Sequence, residues 1–491
     1  MFMWGVTYRP GALLNSLECC GLLHLPPVMS LVDKEIGGCV LTRAPTDSLA
    51  YHGGTLIGYA ERLGKQHEVY VSDQLGMEHI HMIGRSGKGK SKAIAGMCLR
   101  NIERGHGVAV IDPHGDLAED IVARIPEAAV RRCIFFEPGH PYWVPLWNPL
   151  CSEGPVDRVV DDFIRSFMNV TEGWGHRAEG LFRQTLYGVI TCREATLHNV
   201  SILFSPHDPG AKRLRERILG AVRNQKARHF WQYEYNTYRS ADLAPAQNKL
   251  MKLLLYDTPS LMFGQKESRI NAREIMDSNG ILIADLSSLG PAAQDVIGSL
   301  LLSCLHHAVI SRSNIRDEKR RALFHIYVDE MHKFVNDGLP KMLVEMRKFA
   351  CSLVLASHYL GQVDSPKRIE ALSGVGTTFA FQVGSERVEQ VTRFIGGDVE
   401  KEELLKLERQ HAVVRLDTEV FRIKTPELPP PTDPTVAERV KRYSRERYAR
   451  PADELYAEIG VPTNPLPRRP ARATATFTQE SDDQGFEYDE L

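Results

Sequence analysis

His79-Ile-His-Met-Ile-Gly-Arg-Ser-Gly-Lys-Gly-Lys-Ser91 contains the strongest structural signal in the chain. Its first five residues predict a short strand. Gly84–Ser91 then matches the spacing GxxxxGK[ST], and a helical pattern follows from about Lys90 to Arg104. In such a strand–loop–helix unit, glycines let backbone N–H groups curl around a phosphate, and the helix N-terminus adds partial positive charge. A glycine-rich turn with incidental lysines is the alternative, but the flanking strand and helix favour a nucleotide-binding loop.

The individual residues of this loop have distinct expected roles. Lys90 is expected to reach the β- and γ-phosphates of a nucleotide, and the Ser91 hydroxyl is expected to bind Mg²⁺. The predicted nucleotide-binding residues are Gly84, Arg85, Ser86, Gly87, Lys88, Gly89, Lys90, Ser91 and Lys92.

A second apolar run ends in two acidic residues. Leu323–Val328 is followed directly by Asp329 and Glu330. Beside a phosphate-binding loop, Asp329 is expected to hold Mg²⁺ through water, together with Ser91, and Glu330 to polarise the attacking water. A strand that ends in ordinary solvated carboxylates is the alternative. A glutamate directly after the aspartate favours an ATP hydrolase over a slow GTP switch, so we predict ATP and Mg²⁺ as cofactors.

Later in the chain, three more residues are catalytic candidates. Arg347 ends a predicted helix, and a guanidinium delivered to a neighbouring subunit's γ-phosphate would neutralise transition-state charge. His358 and Gln362 follow the predicted strand Ser352–Ala356, where they would sense the γ-phosphate or water. A solvated helix face and a surface histidine are the alternatives. For the acidic segment Asp112–Asp116, a tight turn is favoured over direct support of the site.

Short β-rich runs alternate with helical stretches on both sides of a long helical segment. The predicted strands are 79–83, 107–112, 133–136, 280–285, 322–329, 352–356 and 377–383, followed by a hairpin of 411–416 and 420–424. Strands spaced by helices imply βαβ units and a mainly parallel sheet covered on both faces. We therefore predict an α/β fold that carries an inserted all-α domain.

The predicted organisation has five parts. Residues 1–74 form a strand-containing entry region, 75–155 and 276–430 the α/β domain, and 156–275 the helical insertion. A proline cluster at 429–431 ends the α/β domain and is followed by a C-terminal helical extension, 431–460. Residues 461–491 are rich in Pro, Thr, Ser and acidic residues, which predicts a disordered acidic tail.

Taken together, these motifs resemble the HerA–FtsK superfamily of hexameric, DNA-pumping P-loop ATPases, and most closely the type IV secretion coupling proteins of the TraG/TraD class. The matching segments are 84–91, 112–116, 148–150, 328–330, 345–348, 356–362, 381–385 and 444–451. The resemblance implies a RecA-like motor domain, an all-α insertion facing the DNA entrance, and Arg347 acting in trans. His358 stands where the family usually has glutamine, and Gln362 matches a second family glutamine. We find no counterpart of the family's usual N-terminal membrane helices.

Composition sets broad limits on location and partners. The 491 residues include 60 Lys and Arg and 62 Asp and Glu, for a net charge of −2, which argues against a uniformly basic nucleic-acid-coating protein. Nine cysteines form no CxxC pair and lie mostly in apolar runs, which predicts reduced thiols rather than a zinc site. No apolar run reaches the roughly 18 residues of a membrane span. We expect a cytoplasmic protein, peripheral at most to the inner face of the cell membrane.

The expected function is ATP-driven translocation of DNA by a homo-hexamer that serves a relaxase and membrane channel proteins in conjugation. Single-stranded DNA is favoured over duplex. Two alternatives stay open: a duplex-DNA motor that acts with a nuclease in repair or phage defence, and a nucleotide-gated recruitment protein. Candidate DNA contacts are the basic segments 212–217 and 223–228, the aromatic residues Phe230, Trp231, Tyr233 and Tyr235, and Lys266 and Arg269. The alternative, a solvated helix face for the basic residues followed by aromatic residues in the core, is favoured.

Overall fold

A computed structural model of the chain describes residues 53–62, 65–151, 154–170, 175–205, 208–335, 338–362, 365–396, 399–431 and 433–458. The strands are β1 (Thr55–Arg62), β2 (Lys65–Val71), β3 (Ile80–Ile83), β4 (Gly107–Asp112), β5 (Cys133–Phe136), β6 (Trp143–Pro145), β7 (Ile281–Asp285), β8 (Phe324–Val328), β9 (Cys351–Ser357), β10 (Thr377–Ala380), β11 (His411–Leu416), β12 (Glu419–Lys424) and β13 (Ala449–Pro451).

Helices follow most of these strands and fill the long interval between β6 and β7. They are α1 (Asp73–Gly76), α2 (Lys90–Glu103), α3 (Asp116–Val122), α4 (Val156–Val170), α5 (His176–Thr191), α6 (Leu197–Leu203), α7 (Pro209–Ala221), α8 (Gln225–His229), α9 (Ser240–Leu254), α10 (Asp257–Gly264), α11 (Ala272–Asp277), α12 (Pro291–Ser311), α13 (Leu339–Lys348), α14 (Pro366–Ser373), α15 (Val388–Ile395), α16 (Lys401–Lys406), α17 (Val436–Tyr448) and α18 (Ala452–Glu458).

One eleven-stranded sheet organises the chain, in the order β2-β1-β12-β11-β10-β3-β9-β8-β4-β7-β5. The seven strands from β10 to β5 are parallel, and the four from β2 to β11 add an antiparallel edge. Ile83 at the end of β3 lies opposite Ser357 at the end of β9, and Asp112 at the end of β4 lies opposite Asp285. The carboxyl ends of the parallel strands therefore meet at one edge, which is where ligands bind in open α/β sheets.

The parallel strands are apolar along their whole length because helices cover both faces of the sheet. In β4, Val108 and Val110 pack into one apolar cluster with α2 and α3, whereas Ala109 and Ile111 pack into another with α12. Successive side chains of a strand point to opposite faces, so a strand buried on both sides has no polar face. This burial confirms the predicted α/β class with a mainly parallel sheet.

The predicted strands and the hairpin are confirmed, and their ends differ from the predicted ones by at most three residues. The described part of 156–275 is helical and shares an apolar cluster with the sheet face that α12 covers. At the two ends, β1 and β2 join the central sheet, and α17 packs on β5, where Phe135 N donates to Ser444 Oγ over 2.8 Å. The predicted acidic tail, 461–491, lies outside the described residues, and so do residues 1–52 of the predicted entry region.

One segment among the described residues, Pro291–Asn314, has the length and hydropathy of a membrane span. It contains α12, and 67% of its most apolar window is buried within the protein. Packing against α4, α11 and α13 accounts for its apolar composition, as in the central helix of a large core.

The described cysteines are free thiols, and no group of metal-ligating side chains forms a metal site among the described residues. Cys98, Cys133 and Cys351 are buried, and burial raises the pKa of the Cys351 thiol to about 12. Such thiols are packing residues with little thiolate character.

Candidate active site

A cleft of about 740 Å³ opens at the carboxyl edge of the parallel strands, where the phosphate-binding loop follows β3. It is lined by Ser86, Gly87, Gly89, Lys90, Ser91, Lys92, Asp112, His114, Asp116, Leu117, Glu119, Asp120, Ala123, Arg124, Asp329, Glu330, His358 and Arg409. The loop, the acidic pair and His358 come from three separate strand ends, and the sheet register brings them together.

The backbone of the loop is fixed from both neighbouring strands. Gly84 N donates to Ser357 O over 3.3 Å, and Arg85 N donates to Gln382 O over 2.9 Å. A Cβ on Gly84 would lie 2.5 Å from Phe381 Cβ. Gly87 and Gly89 have φ values of 75° and 113°, a region that side chains disfavour. These glycines allow the tight turn that ends at the N-terminus of α2.

Lys90 lies folded into this turn. Its ammonium group donates to Gly84 O, to Arg85 O over 3.2 Å and to His358 Nδ1 over 3.2 Å. Burial lowers the pKa of Lys90, and the nearby carboxylates of Asp329 and Glu330 oppose that shift. The ammonium is thus held where a phosphate oxygen would replace a backbone carbonyl as its acceptor.

Ser91 and Asp329 form the second part of the cleft. Ser91 Oγ donates to Asp329 Oδ2 over 3.0 Å, and Asp329 N donates to Ile111 O over 3.1 Å, which holds the carboxylate at the end of β8. A hydroxyl and a carboxylate oxygen are hard ligands of the kind that Mg²⁺ binds. Their placement beside the loop fits a magnesium–nucleotide complex.

Glu330 lies beside this pair in a strained, buried position. Its φ of 49° is in the left-handed region, and the residue is 4% exposed. His358 Nδ1 accepts from Lys90, so Nε2 carries the ring proton and donates to Glu330 Oε1 over 2.7 Å. Burial raises the pKa of Glu330, the Asp329 carboxylate adds to that shift, and the Lys90 ammonium opposes it. A carboxylate with a raised pKa is a stronger base.

Gln362 does not line the cleft but supports His358. Its Oε1 accepts from His358 N over 2.8 Å, and its Nε2 lies 3.4 Å from His332 Nε2. It therefore fixes the backbone that presents the His358 ring.

Arg347 lies away from the cleft, at the opposite edge of the sheet. It pairs with Glu78 over 2.6 Å, just before the start of β3, and its side chain is 59% exposed. Because β3 rises about 3.3 Å per residue, its four residues separate this pair from the phosphate-binding loop by roughly 13 Å along the strand. Arg347 does not contribute to the cleft of its own chain in this structure.

Asp112 is used for backbone bonding. Its fully buried carboxylate accepts from His114 N over 2.8 Å and from Ala118 N over 2.9 Å. These contacts form a turn and hold the start of α3, as the favoured interpretation predicts. Burial raises the pKa of Asp112.

Sequence reasoning missed one wall of the cleft. Asp120 in α3 accepts from Lys92 in α2 over 2.5 Å and pairs with Arg124, just after α3, over 3.1 Å. Arg409, from the loop between α16 and β11, lines the cleft as well. The four-residue spacing of Asp120 in α3 and Arg124 just after it is a local signal that could have indicated their ion pair. No local pattern connects Arg409 with Gly89.

The candidate DNA contacts divide in two. Phe230, Trp231 and Tyr235 are buried in the core, as favoured, whereas Tyr233 is 63% exposed. Among the basic candidates, Arg217 and Lys266 both pair with Glu194, and Lys266 does so over 2.5 Å.

Comparison with known proteins agrees with this geometry. The model of the type IV secretion-system coupling protein DNA-binding domain matches residues 68–406. No curated protein sequence matches the chain.

Among solved structures, the unbound bacterial conjugative coupling protein TrwBdeltaN70 is 13% identical, with a TM-score of 0.56, and the alignment covers 78% of this chain and 91% of that one. The plasmid coupling protein TrwB in complex with ADP and Mg²⁺ is 14% identical, with a TM-score of 0.54 and coverages of 74% and 89%. VirB4 of Thermoanaerobacter pseudethanolicus is 14% identical, with a TM-score of 0.52 and coverages of 77% and 97%. These likenesses show the RecA-type P-loop NTPase fold. Because the family model matches well over half of the residues, the chain belongs to the family of the type IV secretion-system coupling protein DNA-binding domain.

Proposed function

We propose that the protein is an ATP-hydrolysing DNA translocase that works as a homo-hexamer and moves DNA, preferably single-stranded, through a central pore. Its family membership and the cleft support this proposal. The observation that carries it is the 3.0 Å contact between Ser91 Oγ and Asp329 Oδ2, with Lys90 and Glu330 beside it. Solved structures of TrwB include complexes with an ATP analogue and with ADP and Mg²⁺.

The cleft residues have separate roles in hydrolysis. The loop amides and Lys90 would bind the phosphates, and Ser91 and Asp329 would hold Mg²⁺, which would supply positive charge against the negative charge of the phosphates. Glu330 accepts a proton from the attacking water, since burial makes its carboxylate more basic. His358 orients Glu330 through the Nε2 contact of 2.7 Å, and Gln362 holds the His358 backbone.

Arg347 acts in trans in this proposal. Its exposed guanidinium lies at the edge opposite the cleft, so it is available to the cleft of an adjacent subunit in a ring. A guanidinium beside the γ-phosphate stabilises transition-state charge. Because the cleft lacks this group in its own chain, we infer that hydrolysis requires assembly.

The helical segment between β6 and β7 is the proposed DNA-facing domain. We infer that a relaxase supplies the DNA and that membrane channel proteins receive it, with the translocase in the cytoplasm at the inner face of the membrane. A motor that grips DNA inside its pore needs a local basic lining and not a basic exterior, so the net charge of −2 is compatible with this role.

The test is ATP turnover by the assembled protein with single-stranded DNA, with duplex DNA and without DNA, at fixed salt. We expect single-stranded DNA to raise turnover most, and both Lys90→Ala and Arg347→Ala to abolish the increase. Lys348→Ala is the matched control, because Lys348 is the exposed neighbour of Arg347 on α13. Stronger stimulation by duplex DNA would favour the nuclease-linked motor, and turnover that ignores DNA and Arg347 would contradict a translocase.

A further inference from the structure

We propose that Arg409 is a nucleotide-binding residue that contacts the α- and β-phosphates from the loop between α16 and β11. This inference rests on the proposed nucleotide binding of the cleft and adds a residue from outside the phosphate-binding loop. Arg409 lines the cleft together with Gly89, Lys90 and Ser91.

The other basic side chains named at the cleft have partners within the protein, whereas Arg409 is available to bind a ligand. Lys90 donates to backbone carbonyls, and Lys92 and Arg124 both pair with Asp120. Arg409 is exposed and forms no side-chain hydrogen bond or ion pair with any other described residue. A guanidinium that is already at the cleft and has no internal partner can bind an anionic ligand without first losing an ion pair.

The backbone that carries Arg409 is docked on the phosphate-binding loop. Gln410 N donates to Lys88 O over 2.9 Å, and Thr425 N donates to Gln410 O over 2.8 Å. A Cβ on Gly89 would lie 3.1 Å from Gln410 Cα. Gln410 itself has a φ of 65°, a strained conformation that these contacts maintain. The position of Arg409 is therefore tied to that of the loop.

This docking point indicates which part of the nucleotide Arg409 meets. Gly89 precedes the first residue of α2, where the loop amides surround the α- and β-phosphates. The γ-phosphate side is served by Glu330 and His358 instead. A guanidinium binds two phosphate oxygens through its planar fork, which a lysine cannot reproduce. Because Arg409 would contact phosphates only, its contribution to binding should be the same for adenine and guanine nucleotides.

The experiment measures the dissociation constants of ADP and GDP with Mg²⁺ for the assembled protein. We expect Arg409→Ala to raise both dissociation constants about ten-fold, which is the effect of losing one charge-assisted contact. Arg409→Lys should recover only part of this loss. Arg393→Ala, at an exposed arginine of α15 that does not line the cleft, is the control and should bind both nucleotides like the parent.

The outcomes separate this inference from the function on which it rests. If the parent binds ADP and Arg409→Ala binds it equally well, the assignment is wrong while the nucleotide site stands. A loss confined to one of the two nucleotides would show a base contact and would also contradict it. If the parent binds neither nucleotide, the proposed function itself fails. An unchanged thermal midpoint of Arg409→Ala without nucleotide excludes misfolding as the cause of weaker binding.

Discussion

At the cleft, two adjacent carboxylates have different partners. Asp329 accepts from Ser91 over 3.0 Å, whereas Glu330 accepts from His358 over 2.7 Å. The first contact positions a metal ligand, and the second positions a base. Binding and turnover should therefore respond separately to substitution at these two residues.

We predict that Glu330→Gln retains nucleotide binding but loses turnover by at least about 100-fold, because the amide cannot accept a proton from water. ATP affinity and steady-state hydrolysis, measured on the same preparation, check this. Glu438→Gln, at an exposed position on α17, should leave both unchanged. Normal turnover in Glu330→Gln would place the catalytic base elsewhere.

Gly89 is restricted both by its own backbone and by its neighbour. Alanine at this position would have a φ of 113° and a Cβ 3.1 Å from Gln410. We predict that Gly89→Ala weakens ADP binding by more than ten-fold, because the loop must open to accommodate the Cβ. Gly105→Ala is the matched control, with a φ of 85° and open space around it. It should cost about 1–2 kcal/mol of stability and leave ADP affinity intact, whereas equal ADP affinity in the two variants would oppose this account.

At the scale of elements, one buried arginine connects the ends of two helices and the segment that leads into a strand. Arg312, directly after α12, is fully buried; its Nη1 donates to Ala322 O over 2.8 Å, and its Nη2 donates to Met276 O over 2.9 Å. Its Nε also pairs with Asp277 over 3.1 Å. These bonds connect α11, α12 and the approach to β8.

We predict that Arg312→Met destabilises the fold by about 3–5 kcal/mol, since it leaves the buried carbonyls of Met276, Ala322 and Phe349 without their donor. Thermal and urea unfolding measure the effect. Arg316→Met, four residues later at an exposed position, should stay within about 0.5 kcal/mol of the parent. An equally small change at Arg312 would mean that water replaces the lost donors.

The sequence predicts most elements because their patterns are local. The run before Gly84, the turn at Asp112 and the hairpin after His411 each depend on residues that are close in the chain. Contacts made by tertiary packing were not predictable in this way. The bond between His358 and Glu330 joins two strand ends, and Arg409 reaches the cleft through a loop more than 300 residues after the phosphate-binding loop.

Across the whole molecule, three buried histidines make stability depend on pH. Burial lowers the pKa of His79 to about 4 and those of His81 and His325 to about 3. Their unfolded pKa is about 6.5, so below that pH the unfolded chain binds more protons than the folded one. Stability from these groups is complete above pH 6.5 and is lost as pH falls from 6.5 towards 4 for His79 and towards 3 for His81 and His325.

We predict that the thermal midpoint falls steadily between pH 7 and pH 5, with each histidine contributing a loss of about 2 kcal/mol at pH 5. Calorimetry in buffers of constant ionic strength measures this. A midpoint that stays constant or rises over that range would show that these side chains are protonated in the folded protein.

The central claim is that each cleft hydrolyses ATP with an arginine supplied by the adjacent subunit. The most direct measurement mixes Lys90→Ala subunits, which keep Arg347 but lack a working loop, with Arg347→Ala subunits, which keep the loop. Turnover with single-stranded DNA is then compared with that of each variant alone. The account predicts that both variants are inactive separately and that the mixture recovers a substantial fraction of parental activity. An inactive mixture in which co-assembly of the two variants is verified would contradict it.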